Sequence, residues 1–472
     1  MTAAATAEQQ KAVTLTVALA VVGVFVTYVP ITAVSVALTS IGSATGASTP
    51  DLQWVSDSYI IPMAATILSA GVFGDLHGRR RVYVTGMALT VVGALVAALG
   101  SSREGGDALH VLWAGQAVSG AGAGLLLPTT LALIAHAVPE LRDRARYVAM
   151  WATGLVLGLA LGPLLSGVIL EHASWGWIFA PTAAMALGAA VAALALLPES
   201  KAPEGRRLDW PGQVFATVAI AASIFGVIEG GQAGWGSAQA VAGLGVGAVA
   251  LGAFVWVELR AQAPLLNVSL FRSPQFAAAG LSALVALFAI VGAIFLLSLF
   301  FGGAQRLSPL EIGWRLLFVN GVTALANPLV GRLLARVQPI AVLGSGLALG
   351  AVAMVLLTGT EADTGFGGVA WRLAVLGLAD ALMLSAVAVA AIHAVPHRLA
   401  GMAAAANTAL RQYGGALGPA VLGVVLTSRI AGGADMASAL HTALLVNGAL
   451  LALAALGCAL AVRRTARGRA AG

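Results

Sequence analysis

Two aspartates lie where water is scarce. Asp57 stands about two turns into a long apolar stretch, and Asp380 sits inside Leu376-Gly377-Leu378-Ala379-Asp380-Ala381-Leu382-Met383. Withdrawing a carboxyl from water disfavours its charged form, so such a group can take up and release a proton, and an ionised one can hold a cation. Asp57 reads as a proton-coupling or cation-binding group, or else as a hydrated residue of the outer vestibule or a helix-start carboxylate satisfied by backbone amides. Asp380 needs a partner. Arg411 or Arg372 could supply a structural ion pair, and the other reading is a proton or substrate site. Glu229 and Glu311 fall at the ends of apolar stretches and read as interfacial. Nothing points to catalysis or to a metal. The histidines fall mostly in gaps, and His393 and His397, beside Pro396 and Arg398, read as a polar helix end. Cys458 is the single cysteine, which excludes an internal disulfide or a cysteine metal site. No cofactor is expected.

The elements that must carry these groups are membrane spans. The 472 residues include 25 basic and 19 acidic ones, 59% are hydrophobic and 9% are charged, with a mean hydropathy of +0.94. A soluble domain carries about 25% charge, so soluble enzyme, nucleic-acid binder and disordered chain are all excluded. Fourteen stretches reach the length of about 20 apolar residues that a spanning helix needs. They run over 13–38, 51–73, 82–100, 109–137, 146–170, 175–197, 211–229, 237–257, 276–302, 310–333, 338–358, 367–394, 402–428 and 439–461. The runs are too long and too uniform for a β-barrel.

Charge placement tests that count. With the N-terminus inside, the inner segments hold Lys11, Arg79, Arg80, Arg81, Arg142, Arg144, Arg146, Lys201, Arg206, Arg207, Arg260, Arg272, Arg332, Arg336, Arg398, Arg463, Arg464, Arg467 and Arg469. The outer loops hold only Arg103, Arg306 and Arg429, while Arg315, Arg372 and Arg411 fall in or at the edge of spans. A missed or invented span would invert every later loop and destroy this bias, so an even number of spans with both ends inside is expected. The first run is too long for a cleaved signal.

The inner loop after the second span reads Gly71-Val72-Phe73-Gly74-Asp75-Leu76-His77-Gly78-Arg79-Arg80-Arg81. A positive-inside anchor would explain the arginines, but not the G-x-x-x-D-x-x-G-R-R spacing. Span 5 carries Gly154, Gly158 and Gly162 at every fourth position, then Pro163 and Gly167. Small residues at that spacing let helix backbones approach closely. Span 2 opens with Leu52-Gln53-Trp54-Val55-Ser56-Asp57-Ser58-Tyr59, span 6 with Trp175-Gly176-Trp177-Ile178-Phe179, and span 13 contains Arg411-Gln412-Tyr413-Gly414-Gly415-Ala416-Leu417-Gly418-Pro419. Leu208-Asp209-Trp210-Pro211-Gly212, Ile228-Glu229-Gly230-Gly231, Gly234-Trp235-Gly236 and Leu270-Phe271-Arg272 stand between. In this joint order the chain resembles the major facilitator superfamily, and within it the 14-span drug/proton antiporters.

The resemblance implies an all-α integral membrane protein with both ends cytoplasmic. Residues 1–200 would form one six-helix half and 201–262 a linker with a two-helix insert. Residues 263–472 would form the second half and a basic tail. It implies an exporter of a small amphipathic drug or antibiotic, driven by protons, acting as a monomer in the lipid bilayer. Gly71, Asp75, Gly78, Arg79 and Arg80 would form an inner gate, and the span 5 glycines with Pro163 the antiporter motif. Spans 1, 2, 4, 5, 9, 10, 12 and 13 would line a cavity. Tyr28, Tyr59, Gln116, Asn320, Asn327, Asn407, Arg411 and Gln412, together with Asp380, are the expected wall. Arginine outnumbers lysine 23 to 2, a usage of G+C-rich genes, so a bacterial cell (inner) membrane is the expected location.

Two positions depart from the family pattern. Pro30 occupies the place of the usual span 1 acid, and Gln116 that of the usual span 4 arginine. Losing one would strand a buried charge at a cost of several kcal/mol, whereas losing both leaves a neutral half. Proton coupling would then rest on Asp57 and Asp380. Without it, the chain would be an uncoupled facilitator or an uptake carrier.

Overall fold

The computed structural model describes residues 3–138, 140–201, 209–261, 264–395 and 399–470, without the side chains of 3–10, 68, 141–145, 400, 401, 405 and 463–470. Arg142, Arg144, Arg206, Arg207, Leu208, Pro396, His397, Arg398, Arg463, Arg464, Arg467 and Arg469 therefore lie, wholly or in their side chains, outside the described residues.

Fourteen α-helices follow one another among the described residues. The first six are α1 (Ala3–Thr45), α2 (Thr49–His77), α3 (Arg79–Leu99), α4 (Gly105–Ala137), α5 (Leu141–His172) and α6 (Ala180–Leu196). Two more are α7 (Trp210–Ala233) and α8 (Ala238–Glu258). The last six are α9 (Pro274–Gly303), α10 (Pro309–Leu334), α11 (Pro339–Leu357), α12 (Phe366–His393), α13 (Ala400–Ala431) and α14 (Met436–Ala470). Thirteen of them are long and apolar enough to cross a membrane. The remaining one, α2, is bent by 55° between Thr49–Ile67 and Ser69–His77; counted as one crossing, it brings the spans to fourteen.

Local sequence sets the helix starts. Ser48 and Asp51 form a capping box around Pro50 at the head of α2, and Ser308 and Glu311 do the same around Pro309 for α10. The serine oxygen accepts a free N–H, the acid accepts the N-cap N–H, and proline fills a position whose N–H has no helical acceptor. Glu311 is thus an exposed cap. The span expected as one run over 175–197 is broken: Trp175–Phe179 forms a 3-10 turn and α6 restarts at Ala180 with Pro181 in its first turn.

Packing groups the helices. α1 lies against α4, α5 and α6, and α3 lies against α4 and α6. In the second set, α9 lies against α12, α13 and α14, and α11 lies against α12 and α14. α7 and α8 form a hairpin, of which α7 touches both α2 and α13. The two sets meet mainly through α5 on α10, α2 on α13 and α1 on α9.

Glycines set the closest approaches. Gly158 and Gly162 of α5 press on the carbonyls of Phe25 and Val29 in α1, leaving no room for a Cβ. Gly414 and Gly418 of α13 press likewise on the carbonyls of Leu284 and Phe288 in α9. Helices all apolar to lipid gain little from hydrophobicity against one another, so backbone contact of this kind carries the association.

Candidate functional site

A cavity of about 660 Å³ lies between the two helix sets. Most of its wall is aliphatic: Ile31 of α1, Ile60 of α2, Leu155 and Leu159 of α5, and Leu287, Ile290, Val291 and Ile294 of α9. The polar groups are Tyr28, Thr32 and Ser35 of α1, Asn320 of α10, Asp380 of α12, and Arg411 and Gln412 of α13. Tyr28, Asn320, Asp380 and Arg411 stand near the middle of their spans, so the cavity is at mid-depth, where transporter folds of this kind place their sites.

The charged groups of this wall are incompletely paired. Nη2 of Arg411 donates to the Tyr28 hydroxyl at 3.1 Å, and its Nε is buried without an acceptor. Oδ2 of Asp380 accepts from the Thr323 hydroxyl at 3.1 Å, and that hydroxyl also reaches the Gly377 carbonyl. Asp380 and Arg411 are near enough for their charges to interact, yet no ion pair joins them among the described residues. Arg372, the other expected partner, is elsewhere: it donates to the Gly359 carbonyl at 2.8 Å and lies over the Trp371 ring. Asn320 Nδ2 and Gln412 Oε1 are buried without partners, while Gln412 Nε2 points at the Met63 sulfur of α2, 3.6 Å away.

A smaller cavity of about 310 Å³ is lined by Pro30, Ser56, Tyr59 and Gln116 with aliphatic neighbours. Tyr59 donates to the Thr27 carbonyl at 2.7 Å, and Gln116 donates to the Val55 carbonyl at 3.2 Å. The two residues that replace the family's acid and arginine therefore share one wall, and that wall carries no charge.

Two residues expected in the wall are not there. Asn327 lies two turns inward of Asn320 and accepts from the Ser385 hydroxyl at 2.7 Å, so it joins α10 to α12. Asn407, one turn inward of Arg411, is buried and lines neither cavity. In helices that are apolar all round, sequence pattern does not fix which face turns inward.

Asp57 also lines neither cavity. It is fully buried, and neither carboxyl oxygen has a hydrogen-bond partner among the described residues. The reading of a hydrated or helix-capped residue therefore fails. Its position on α2 falls between Gln53, whose side chain fills the space in front of Gly423, and Met63, which faces Gln412. Asp57 thus lies in the stretch of α2 that packs on α13. Gln53, which sequence reading passed over, is fully buried with both amide atoms unpartnered. Its signal was its spacing, one turn before Asp57.

The loop after α2 is clasped within its own half. Asp75 pairs with Arg79 at 2.9 Å, and Arg79 Nη1 donates to the Ala132 carbonyl of α4. Arg80 and Arg81 stand 3.9 and 3.8 Å from Glu199, beyond α6, and Arg80 donates to the Leu197 carbonyl. Gly78 has φ of 109°, and a Cβ there would strike Glu199, so glycine is required at this turn. Gly71 has open space around it.

On α5, Gly154, Gly158 and Gly162 face α1, while Gly167 lies against Pro309 and Leu310 of α10 and the Pro163 carbonyl lies against Gly313. Further contacts between the helix sets are Thr39 on Gly302, the Ser298 hydroxyl donating to the Ser35 carbonyl, and Gln53 on Gly423. All of these lie toward the outer side. At the depth of the cavity the sets also meet through Tyr28–Arg411 and Met63–Gln412.

A family model of the Major Facilitator Superfamily matches residues 20–419. The Multidrug resistance protein Stp of Mycobacterium tuberculosis (strain CDC 1551 / Oshkosh) is 33% identical over 408 residues, 86% of this chain and 74% of the relative. The Tetracenomycin C resistance and export protein of Streptomyces glaucescens is 28% identical over 410 residues, 87% of this chain and 75% of the relative. A crystal structure of the peptide transporter POT in complex with sulfate has the same fold, with a TM-score of 0.71 over 96% of this chain and 95% of that one at 14% identity. Fourteen spans, a mid-depth cavity between two helix sets and a match over most of its length together make this chain a member of the Major Facilitator Superfamily, a multi-pass transporter of the cell membrane.

Proposed function

We propose that the chain exports a small amphipathic, drug- or antibiotic-like molecule in exchange for protons. The observation that carries this reading is the cavity: about 660 Å³ at mid-depth, mostly aliphatic, with one acid and one guanidinium in its wall. Such a wall suits an apolar body with a few polar points. Both relatives are named for resistance, and one of them for export.

Residues 1–200 and 263–472 act as two bodies that rock about the cavity, and 201–262 act as linker and insert. Gly71, Asp75, Gly78, Arg79 and Arg80 gate the inner side. Gly154, Gly158, Gly162, Pro163 and Gly167 form the surface on which α5 moves. Asp57 and Asp380 carry the protons, because the positions of Pro30 and Gln116 hold no charge. The working unit is a monomer.

The test is substrate-dependent proton flux in proteoliposomes under an imposed pH gradient, over lipophilic cations, amphoteric molecules and neutral antibiotics. The wild type is expected to couple the two fluxes, and Asp57→Asn or Asp380→Asn to uncouple them while the protein stays folded. Full coupling in both variants would sink the assignment of the protons to these acids. The neutral wall shared by Pro30 and Gln116 favours a second reading, an uncoupled facilitator or uptake carrier. Wild-type substrate flux that ignores both pH and protonophore would establish it.

A further inference from the structure

Resting on the transport reading above for the presence of a cavity ligand, we infer that the central cavity selects an amphoteric molecule, with its anionic group on Arg411, its amine on Asp380 and its apolar body on the aliphatic wall between them. The hydrogen bonds of the cavity wall leave this complement open. Asp380 accepts one hydrogen bond, from Thr323 to Oδ2, and Oδ1 accepts none among the described residues. Arg411 donates from Nη2 to Tyr28 but, among the described residues, makes no bond from Nη1 or Nε. The partners Tyr28 and Thr323 are neutral hydroxyls, and no ion pair joins Asp380 to Arg411 among the described residues, so each charge lacks a directly bonded counter-ion. Tyr28 is the only other titratable group in the cavity wall.

A buried charge left without a counter-charge is costly. A monocation would answer Asp380 and set a like charge before Arg411. A monoanion would do the reverse. A molecule carrying both groups completes both partners at once, and the guanidinium fork suits a planar carboxylate or phenolate. The unpartnered amides of Asn320 and Gln412 add one donor and one acceptor to the same wall. The remaining surface takes an aromatic or aliphatic body.

The test needs no gradient. The probe is a naphthalene bearing an aminoethyl group at one end and a carboxymethyl group at the other. It is compared with its methyl ester, its N-acetyl derivative and the doubly blocked compound, each titrated by fluorescence onto the purified full chain in nanodiscs. The zwitterion is expected to bind at least about tenfold tighter than either singly blocked form. Asp380→Asn should abolish the preference for the zwitterion over the N-acetyl anion and should not weaken binding of that anion. Arg411→Gln should reduce it to the affinity of the ester, and Arg411→Lys should restore part of the loss. The inference is overturned if any blocked form binds wild type as tightly as the zwitterion, or if folded Asp380→Asn keeps the full preference. It is overturned as well if none of the four binds while proton-linked transport of a lipophilic dye persists. Because the wild-type series stands without any variant, a misfolded variant leaves the result decisive. A charge preference in the absence of proton-linked flux would instead keep this inference and remove the antiport reading.

Discussion

In α5 of the N-terminal half, Gly158 and Gly162 press on the carbonyls of Phe25 and Val29, and Pro163 follows. In α13 of the C-terminal half, Gly414 and Gly418 press on the carbonyls of Leu284 and Phe288, and Pro419 follows. Gly120 of α4 meets the Tyr59 carbonyl of α2, as Gly377 of α12 meets the Val319 carbonyl of α10. The backbone contacts are duplicated. The chemistry is not: the N-terminal wall offers Tyr28, Thr32, Ser35 and Gln116, while the C-terminal wall holds Asp380 and Arg411. Helix association needs small residues at fixed places in both halves, whereas the cavity wall has no such constraint and can gather its charge on one side.

The packing equivalence is tested most severely by Gly162→Val beside Gly418→Val. Each inserts a branched side chain where a Cβ has no room. Each is expected to cost about 1–3 kcal/mol by overpacking and to remove most folded protein in fluorescence-detected size exclusion, by similar amounts. Gly321→Ala, with nothing near its Cβ position, should be harmless. A large loss at only one of the two glycines would break the comparison.

Next in size is the charge asymmetry. Asp380→Asn should lower proton-linked transport at least about tenfold. Gln116→Leu removes one neutral hydrogen bond, worth about 1 kcal/mol, and should lower transport less. A Gln116 effect as large as that of Asp380 would return the chemistry to both halves.

Tyr28→Phe sharpens the contrast at the seam, because it removes the one acceptor of Arg411. Substrate affinity is expected to fall about fivefold, near 1 kcal/mol, with little change in thermal stability.

The smallest effect belongs to Glu199→Gln. Its contacts with Arg80 and Arg81 are long and partly exposed, so about 0.5 kcal/mol is expected, and less at high salt. The inner end of α10 and the loop after it carry Arg332 and Arg336 without an acid beside them in sequence, and neutralising those arginines should not produce a matching salt-dependent loss.

The fourteen spans were legible because each needs only length and apolarity, and because the inner arginines fix the parity of the crossings. The glycine stripe of α5 was legible as a spacing. Its division between α1 at Gly162 and α10 at Gly167 was not, since a stripe does not reveal which neighbour it meets. The break before α6 was legible only in Pro181. Side-chain facing was the least readable feature. Asn320 lines the cavity and Asn327 does not, although seven residues, nearly two full turns, separate them. A bent or tilted helix changes neighbours along its length. The sequence left Asp57 open between a coupling acid and a hydrated or helix-capping outer residue, and the structure finds it fully buried in the stretch of α2 that packs on α13.

The α7–α8 hairpin makes the two seams of the molecule unequal. α7 fastens to α2 through Gln213, which accepts from Ser69 and donates to the Ala65 carbonyl, and to α13 through the Ser223–Tyr413 contact at 2.8 Å and Gly231 on Val424. The α2/α13 seam is therefore roofed, while Leu157 and Leu165 of α5 and Leu325 and Leu329 of α10 face outward beside the other seam. Among the described residues, acyl chains can therefore lie directly against the α5/α10 seam, whereas at the α2/α13 seam they meet α7 instead, so the lipid shell touches the two seams differently.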